Sequence, residues 1–351
     1  MQTPYPRNRR GGLSNSALAI ILAILSVILV ALIITLVSVK GGCDTGKDNS
    51  PEETTPPSVD AGVTVPNESR PEWQPIIENT AAFRPVSNSS TVKLAANSIY
   101  SNNAIMVDRA TGQVICEYGA DTRIYPASMT KVMTVLVACD LIEDMNDTFT
   151  FTRELLYTIE SGATNAYFIP DNPVPMVDLI YGAIIPSGAD ACLGLANALA
   201  GSEAEFVELM NKKASELGCT GTHFTNSIGL HNENHYSTVR DIATILNYAM
   251  ENPFLRRVIT ASSYKTVAPV DRVDGTLYST WQNNYNMSKA TMIGAKSGYT
   301  PEAGRCLASV SKTIDGHEYV IVTAGAFFKN EISATNQSFA DVEYLCNTYI
   351  K

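Results

Sequence analysis

The run at residues 132–142 constrains this chain more than any other stretch. It is apolar nearly all round, and a helix without a polar face is stable only when other elements enclose it. The chain must therefore build a domain with a helix through its centre. Tyr125-Pro126-Ala127-Ser128-Met129-Thr130-Lys131 leads into that run. Pro126 stands where a first helical turn accepts proline. Ser128 and Lys131 are three apart, so on a helix they share a face. The spacing predicts a hydroxyl beside an amine at the start of a buried helix, a nucleophile next to a base. Burial lowers the pKa of a lysine, and a neutral amine can take the serine proton. Backbone N–H groups at the helix start could stabilise an oxyanion. Ser-x-x-Lys also arises by chance, as a serine near a helix start with a solvated lysine. The rest of the chain has to decide between the two.

The 351 residues suffice for one large domain or two small ones, and a net charge of −10 with no basic stripe argues against nucleic-acid partners. Residues 17–39 are uncharged and rich in Ile, Leu and Val, long enough to span a lipid bilayer. Arg7, Arg9 and Arg10 precede them. By the positive-inside rule, residues 1–16 stay in the cytoplasm and everything after the span lies outside the cell membrane. A cleaved signal peptide is the alternative, but its apolar core would be shorter. Lys40-Gly41-Gly42-Cys43 is a poor lipoprotein site, so an uncleaved single-pass anchor is the favoured reading. Residues 40–92 are dominated by Pro, Thr, Ser, Asn and Glu, and read as a disordered linker to a folded domain at 93–351. Seven cysteines in an exported chain leave at least one unpaired. No Cys-x-x-Cys and no metal-ligand spacing occurs, so neither a metal nor another cofactor is expected. His231 and His235 lie in a Gly/Asn-rich stretch that reads as a surface loop.

Within the folded part, 103–108 and 113–118 read as strands joined at Thr111-Gly112. Residues 149–168 are hard to assign. Helical runs follow at 176–185 and 190–200, broken at Pro186-Ser187-Gly188. Ser202 and Glu205 form a capping box ahead of another helix that stops at Gly218. A helix at 237–250 ends at Asn252-Pro253. Strand patterns then take over at 264–269, 292–296, 305–312 and 317–326, and a helix at 334–349 closes the chain. Two strands, a helical block, more strands and a last helix predict an α+β fold. One antiparallel sheet is flanked by helices, with a mostly helical lobe beside it.

Two further clusters give Ser128-x-x-Lys131 its weight. Ile184-Ile185-Pro186-Ser187-Gly188-Ala189-Asp190 breaks a helix and presents a serine in the break, unless Ser187 is simply a helix cap. Lys296-Ser297-Gly298-Tyr299-Thr300 ends a predicted strand. It offers a cation, a hydroxyl and a glycine that lets a substrate backbone approach, unless Lys296 is an exposed edge-strand lysine. The three clusters, in this order, resemble the signature of penicillin-recognising serine enzymes. From about residue 95 onward the chain is identified as a member of the low-molecular-mass penicillin-binding proteins, the D-alanyl-D-alanine carboxypeptidases. Asp178-Leu179-Ile180-Tyr181-Gly182, Met210-Asn211-Lys212-Lys213-Ala214, Thr222-His223-Phe224-Thr225-Asn226, Gly229-Leu230-His231 and His235-Tyr236-Ser237-Thr238 resemble family blocks too.

The resemblance implies a β-lactamase/transpeptidase-like fold and removal of the terminal D-alanine from peptidoglycan stem peptides, with β-lactams as inhibitors. It makes Ser128 the nucleophile, Lys131 the base and Ser187 a proton relay, with Lys296, Ser297, Gly298, Tyr299 and Thr300 binding substrate. The oxyanion would sit between the N–H groups of Ser128 and Tyr299. In the family the second motif usually reads Ser-x-Asn, whereas here the third position is Ala189. A lost hydrogen bond to a charged group costs about 1.5–3 kcal/mol, roughly ten- to over a hundred-fold in rate. A membrane-anchored binding protein with little turnover is therefore one alternative. A class A-like β-lactamase is another, but it needs a glutamate to activate water, and Glu208 has the wrong spacing.

Overall fold

The computed structural model describes residues 72–73, 83–160, 162–272, 274–281, 287–327 and 337–351. The expected membrane span at 17–39 lies outside them. The core is a six-stranded sheet in the order β1-β3-β2-β10-β9-β8. Strand β1 is Val92–Lys93, β2 Asn103–Asp108 and β3 Val114–Tyr118. Strand β8 is Ala290–Thr300, β9 Gly304–Thr313 and β10 Glu318–Ala326. All neighbours are antiparallel except β1 and β3. The two ends of the domain meet at β2 and β10, where Val107 pairs with Val320 and Ile105 with Val322.

Alternation along β2 divides the core. Ala104 and Met106 pack with Phe339, Val342, Leu345 and Cys346 of the closing helix Gln337–Tyr349. Ile105 and Val107 turn to the other side, where the remaining helices lie. A strand covered on both faces reads as an unbroken apolar run. At the centre of that second side runs α1, Lys131–Leu141, in which every residue from Lys131 to Cys139 is buried. It packs against α3 (Met176–Ile184), α4 (Ala189–Ala200), α5 (Glu203–Glu216) and α6 (Val239–Glu251). The short α2 is Arg153–Tyr157. Ser202 and Thr238 cap α5 and α6 by accepting the N–H groups of Glu205 and Asp241.

Several expectations need correction. Asn252-Pro253 does end α6, but it also starts α7, Pro253–Thr260, where strands were expected. Asn252 Oδ1 accepts from the N–H groups of Phe254 and Leu255, with proline in the first turn. The strand expected at 264–269 is short: β6, Ser263–Lys265, pairs with β7, Thr276–Tyr278. The region 149–168 resolves into α2 and β4 (Thr148–Thr150), which pairs with β5, Pro173–Pro175. The strand expected at 292–296 runs on through the whole Lys-Ser-Gly-Tyr-Thr cluster.

The fold also begins earlier than residue 93. Val86 bridges to Gln113, and the Thr91 hydroxyl donates to the Val114 carbonyl. Trp73 is 4% exposed, donates its indole N–H to the carbonyl of Ile142 and accepts from Asn252. An indole buries much apolar area in one side chain, and this ties Trp73 to the domain. The six described cysteines, Cys116 through Cys346, are all buried and unpaired with one another.

Candidate active site

Ser128 lies in a 3-10 turn, Ala127–Thr130, that runs directly into α1. With three residues per turn, positions three apart eclipse. Lys131 Nζ is accordingly 3.0 Å from Ser128 Oγ. Its other polar contact is the carbonyl of Ile228, at 2.6 Å. Lys131 is 1% exposed, so burial pulls its pKa below the usual lysine range, against a weaker upward pull from Cys192 and Asp190. Ala127 sits at a φ of +47°, a left-handed conformation rare for a residue with a Cβ. Strain of this kind persists where the surroundings over-determine the backbone. The surroundings here are β8 and the turn around Gly229. A Cβ at Gly298 would lie 2.8 Å from Ser128 N, and one at Gly229 would lie 2.0 Å from the Ala127 carbonyl oxygen. Gly298 thus makes room for the turn that carries Ser128.

The second serine is built differently. Ser187 occupies the turn between α3 and α4 at a φ of +64° and is almost fully buried. Its carbonyl accepts from the Thr164 hydroxyl at 2.6 Å. Asp190 fastens the facing loop by accepting from the N–H groups of Ala166 and Tyr167, each at 2.8 Å. Lys296 Nζ reaches Ser187 Oγ at 2.9 Å and the Ser297 carbonyl at 2.7 Å. Although β8 is the sheet edge, Lys296 is completely buried, which removes the exposed edge-lysine reading. Burial drives its pKa well below the lysine range, and the nearby Lys131 pushes the same way.

Ser128, Lys131, Ser187, Ser297, Gly298, Tyr299 and Thr300 line one cleft of about 760 Å3. Lys296 lies behind its wall and meets it through Ser187. Ser297 Oγ is 3.0 Å from the hydroxyl of Thr280, another lining residue. The hydroxyl of Thr300 accepts from Ala303 N, so it also shapes its own turn. Glu208 is exposed on α5 and does not line the cleft. Among the described residues no three His, Cys, Asp or Glu side chains gather as metal ligands do.

The surface-loop reading suits His231, which is exposed and stacks edge-on against Tyr125. For His235 it is wrong. His235 is 2% exposed, its Nδ1 accepts from Thr225 N, and its Nε2 is 2.8 Å from Thr130 Oγ1. That leaves Nε2 as the donor to Thr130. Burial holds the ring neutral, with a pKa of about 4. His235 thereby braces the turn that carries Ser128. Its polar neighbours in sequence hid this, because the partners lie 10 and 105 residues away. Thr280 and the Ile228 carbonyl escaped notice for the same reason.

An α+β domain with a buried Ser-Lys pair beside a strand-borne Lys-Ser-Gly belongs to a recognisable class. The fold is similar to the crystal structure of the Streptomyces K15 DD-transpeptidase, at 27% identity and a TM-score of 0.62, covering 72% of this chain and 97% of that one. The family model described as D-alanyl-D-alanine carboxypeptidase matches residues 89–327, and the chain belongs to that family. Among its relatives are D-alanyl-D-alanine carboxypeptidase DacF of Bacillus subtilis and DacA of Escherichia coli, each 30% identical. The matches cover 66% and 71% of this chain, and span 58% and 62% of those relatives' own lengths.

Proposed function

We propose that the protein is a serine D-Ala-D-Ala carboxypeptidase that trims peptidoglycan stem peptides through an acyl-enzyme on Ser128. The observation that carries this is the 3.0 Å contact between the buried Lys131 Nζ and Ser128 Oγ. Neutral Lys131 takes the Ser128 proton as Oγ attacks the carbonyl of the penultimate D-alanine. The developing oxyanion is met by the N–H groups of Ser128 and Tyr299; the close approach of Gly298 to Ser128 N supports that pairing. Collapse breaks the peptide bond, and the leaving D-alanine amine receives a proton by way of Lys131 and Ser187. Water then hydrolyses the ester, and Lys131 acts again as base. Ser297, with the field of Lys296 behind it, receives the terminal carboxylate. β-Lactams, which present a similar carbonyl and carboxylate, acylate Ser128 and inhibit.

The apolar span at 17–39, with arginines ahead of it, supports a single-pass anchor that leaves this domain outside the membrane. Ala189 favours a second reading, a stem-peptide or β-lactam binder with little turnover, because the methyl supplies no hydrogen bond to Lys131. The full-length protein in detergent, mixed with a fluorescent penicillin, separates the two when D-alanine release from a D-Ala-D-Ala peptide is assayed alongside. Adduct and release, both lost in Ser128→Ala, establish the carboxypeptidase. Adduct without release establishes the binder, and neither signal from folded protein sinks Ser128 as nucleophile.

A further inference from the structure

We propose that Asn226 is a positioning residue for Lys131, acting through the carbonyl of Ile228. The inference rests on the acyl-enzyme reading of Ser128 and Lys131. Ala189 is fully buried and has no polar side-chain atom to hold an amine. Beyond Ser128, the contact of Lys131 is a backbone oxygen, that of Ile228 at 2.6 Å. A carbonyl only accepts, so it takes an N–H of the amine. A neutral amine has two N–H groups and one lone pair. With one N–H held by Ile228, rotation of the amine is restricted and the lone pair is kept for the Ser128 hydroxyl.

A backbone oxygen is placed only as well as the turn that carries it. Asn226 makes that turn. Its Oδ1 accepts from the N–H groups of Ile228, Gly229 and Leu230 at 3.2, 2.7 and 3.0 Å. Its Nδ2 donates to the Leu230 carbonyl at 3.0 Å, which closes the turn. The next residue fastens the turn to the helices. Ser227 donates through N and Oγ to Glu203 Oε1, at 2.9 and 2.6 Å. The Ser227 carbonyl accepts from Thr134 Oγ1 at 2.6 Å. Thr134 is three residues beyond Lys131 on α1, so the turn is tied to the lysine's own helix. Removing the Asn226 carboxamide keeps the Ser227 anchor and releases residues 228–230, and with them the oxygen that orients Lys131.

The charged and titratable groups that act on Lys131 are Lys296 on β8, Asp190 and Cys192 on α4, and His235 on the loop after α5, and Glu160, His231, Glu302 and Arg305 line the same cleft. Variants at Asn226 leave all of them in place. The test measures penicillin acylation per active site against pH in the full-length protein, with kcat and KM for D-alanine release and a melting curve. Asn226→Ala is expected to acylate about 10- to 100-fold more slowly, with kcat falling more than KM. Its acid limb moves to lower pH, because the ammonium form loses an acceptor. Asn226→Asp keeps the three accepted N–H groups and adds an anion. It is expected to recover to within about tenfold of the parent, with the limb moved to higher pH. A merely structural role would lower the melting temperature and leave the rate per active site and the limb where they are. Parental rate and limb in Asn226→Ala overturn the proposal; if that variant does not fold, an unmoved limb in Asn226→Asp does so. No adduct in the parent overturns the acyl-enzyme reading itself, and the proposal with it.

Discussion

The domain contains two serine–lysine pairs that match in length and differ in origin. Ser128 and Lys131 are 3.0 Å apart and separated by three residues; Ser187 and Lys296 are 2.9 Å apart and separated by 109. Both lysines are buried, and burial pulls both below the usual lysine range. The first pair is made by one helical turn. The second needs a left-handed turn between two helices and an edge strand from the far end of the chain. Two amines in one dry site cannot both carry a proton cheaply, because each charge raises the cost of the other. On the proposed reading of the site, the long-range pair tunes the local one.

The sharpest way to break this comparison is at the nucleophile. Ser128→Ala should form no penicillin adduct by intact mass, while Ser187→Ala should still form one. Lys131→Met should slow acylation by roughly a hundred- to ten-thousand-fold, the range typical of losing a positioned base, measured by stopped-flow with a fluorescent β-lactam. Lys296→Met tests the tuning. Removing a neighbouring cation favours protonated Lys131, so the acid limb of acylation should move to higher pH. An unmoved limb would mean that the two pairs act separately.

Smaller effects separate strain from chemistry. Ser187→Gly and Ser187→Ala both remove the hydroxyl, but only glycine relieves a φ of +64°. The glycine variant should be more stable than the alanine variant by about 1–3 kcal/mol in urea. His235 provides the last test. Unfolded, it binds a proton below about pH 6.5; folded, only below about 4. Its contribution is therefore whole above pH 6.5 and is lost as pH falls towards 4, up to about 3 kcal/mol. Burial raises Asp178 and Asp190 instead, and their contribution runs in the opposite sense. Comparing melting temperatures at pH 7 and 4.5 between the parent and His235→Asn isolates the histidine. The variant should show the smaller difference.

What the amino-acid order determined by itself was whatever depends on near neighbours. The apolar run after Lys131 fixed a central helix, and three-residue spacing put Ser128 beside the amine. Apolar runs on either side of the Thr111-Gly112 turn marked β2 and β3, and the Ser202 cap placed the start of α5. The ordered motifs pointed to the family whose model matches residues 89–327. Only the tertiary structure decided that Lys296, on an edge strand, is buried against Ser187, and that His235 is a brace under Thr130. It alone showed that Gly298 clears Ser128 N and that the Ile228 carbonyl reaches Lys131. The physical reason is range. Helical and strand periods repeat over a few residues and leave a mark on the sequence. A hydrogen bond between groups a hundred residues apart leaves none until the fold has closed the distance.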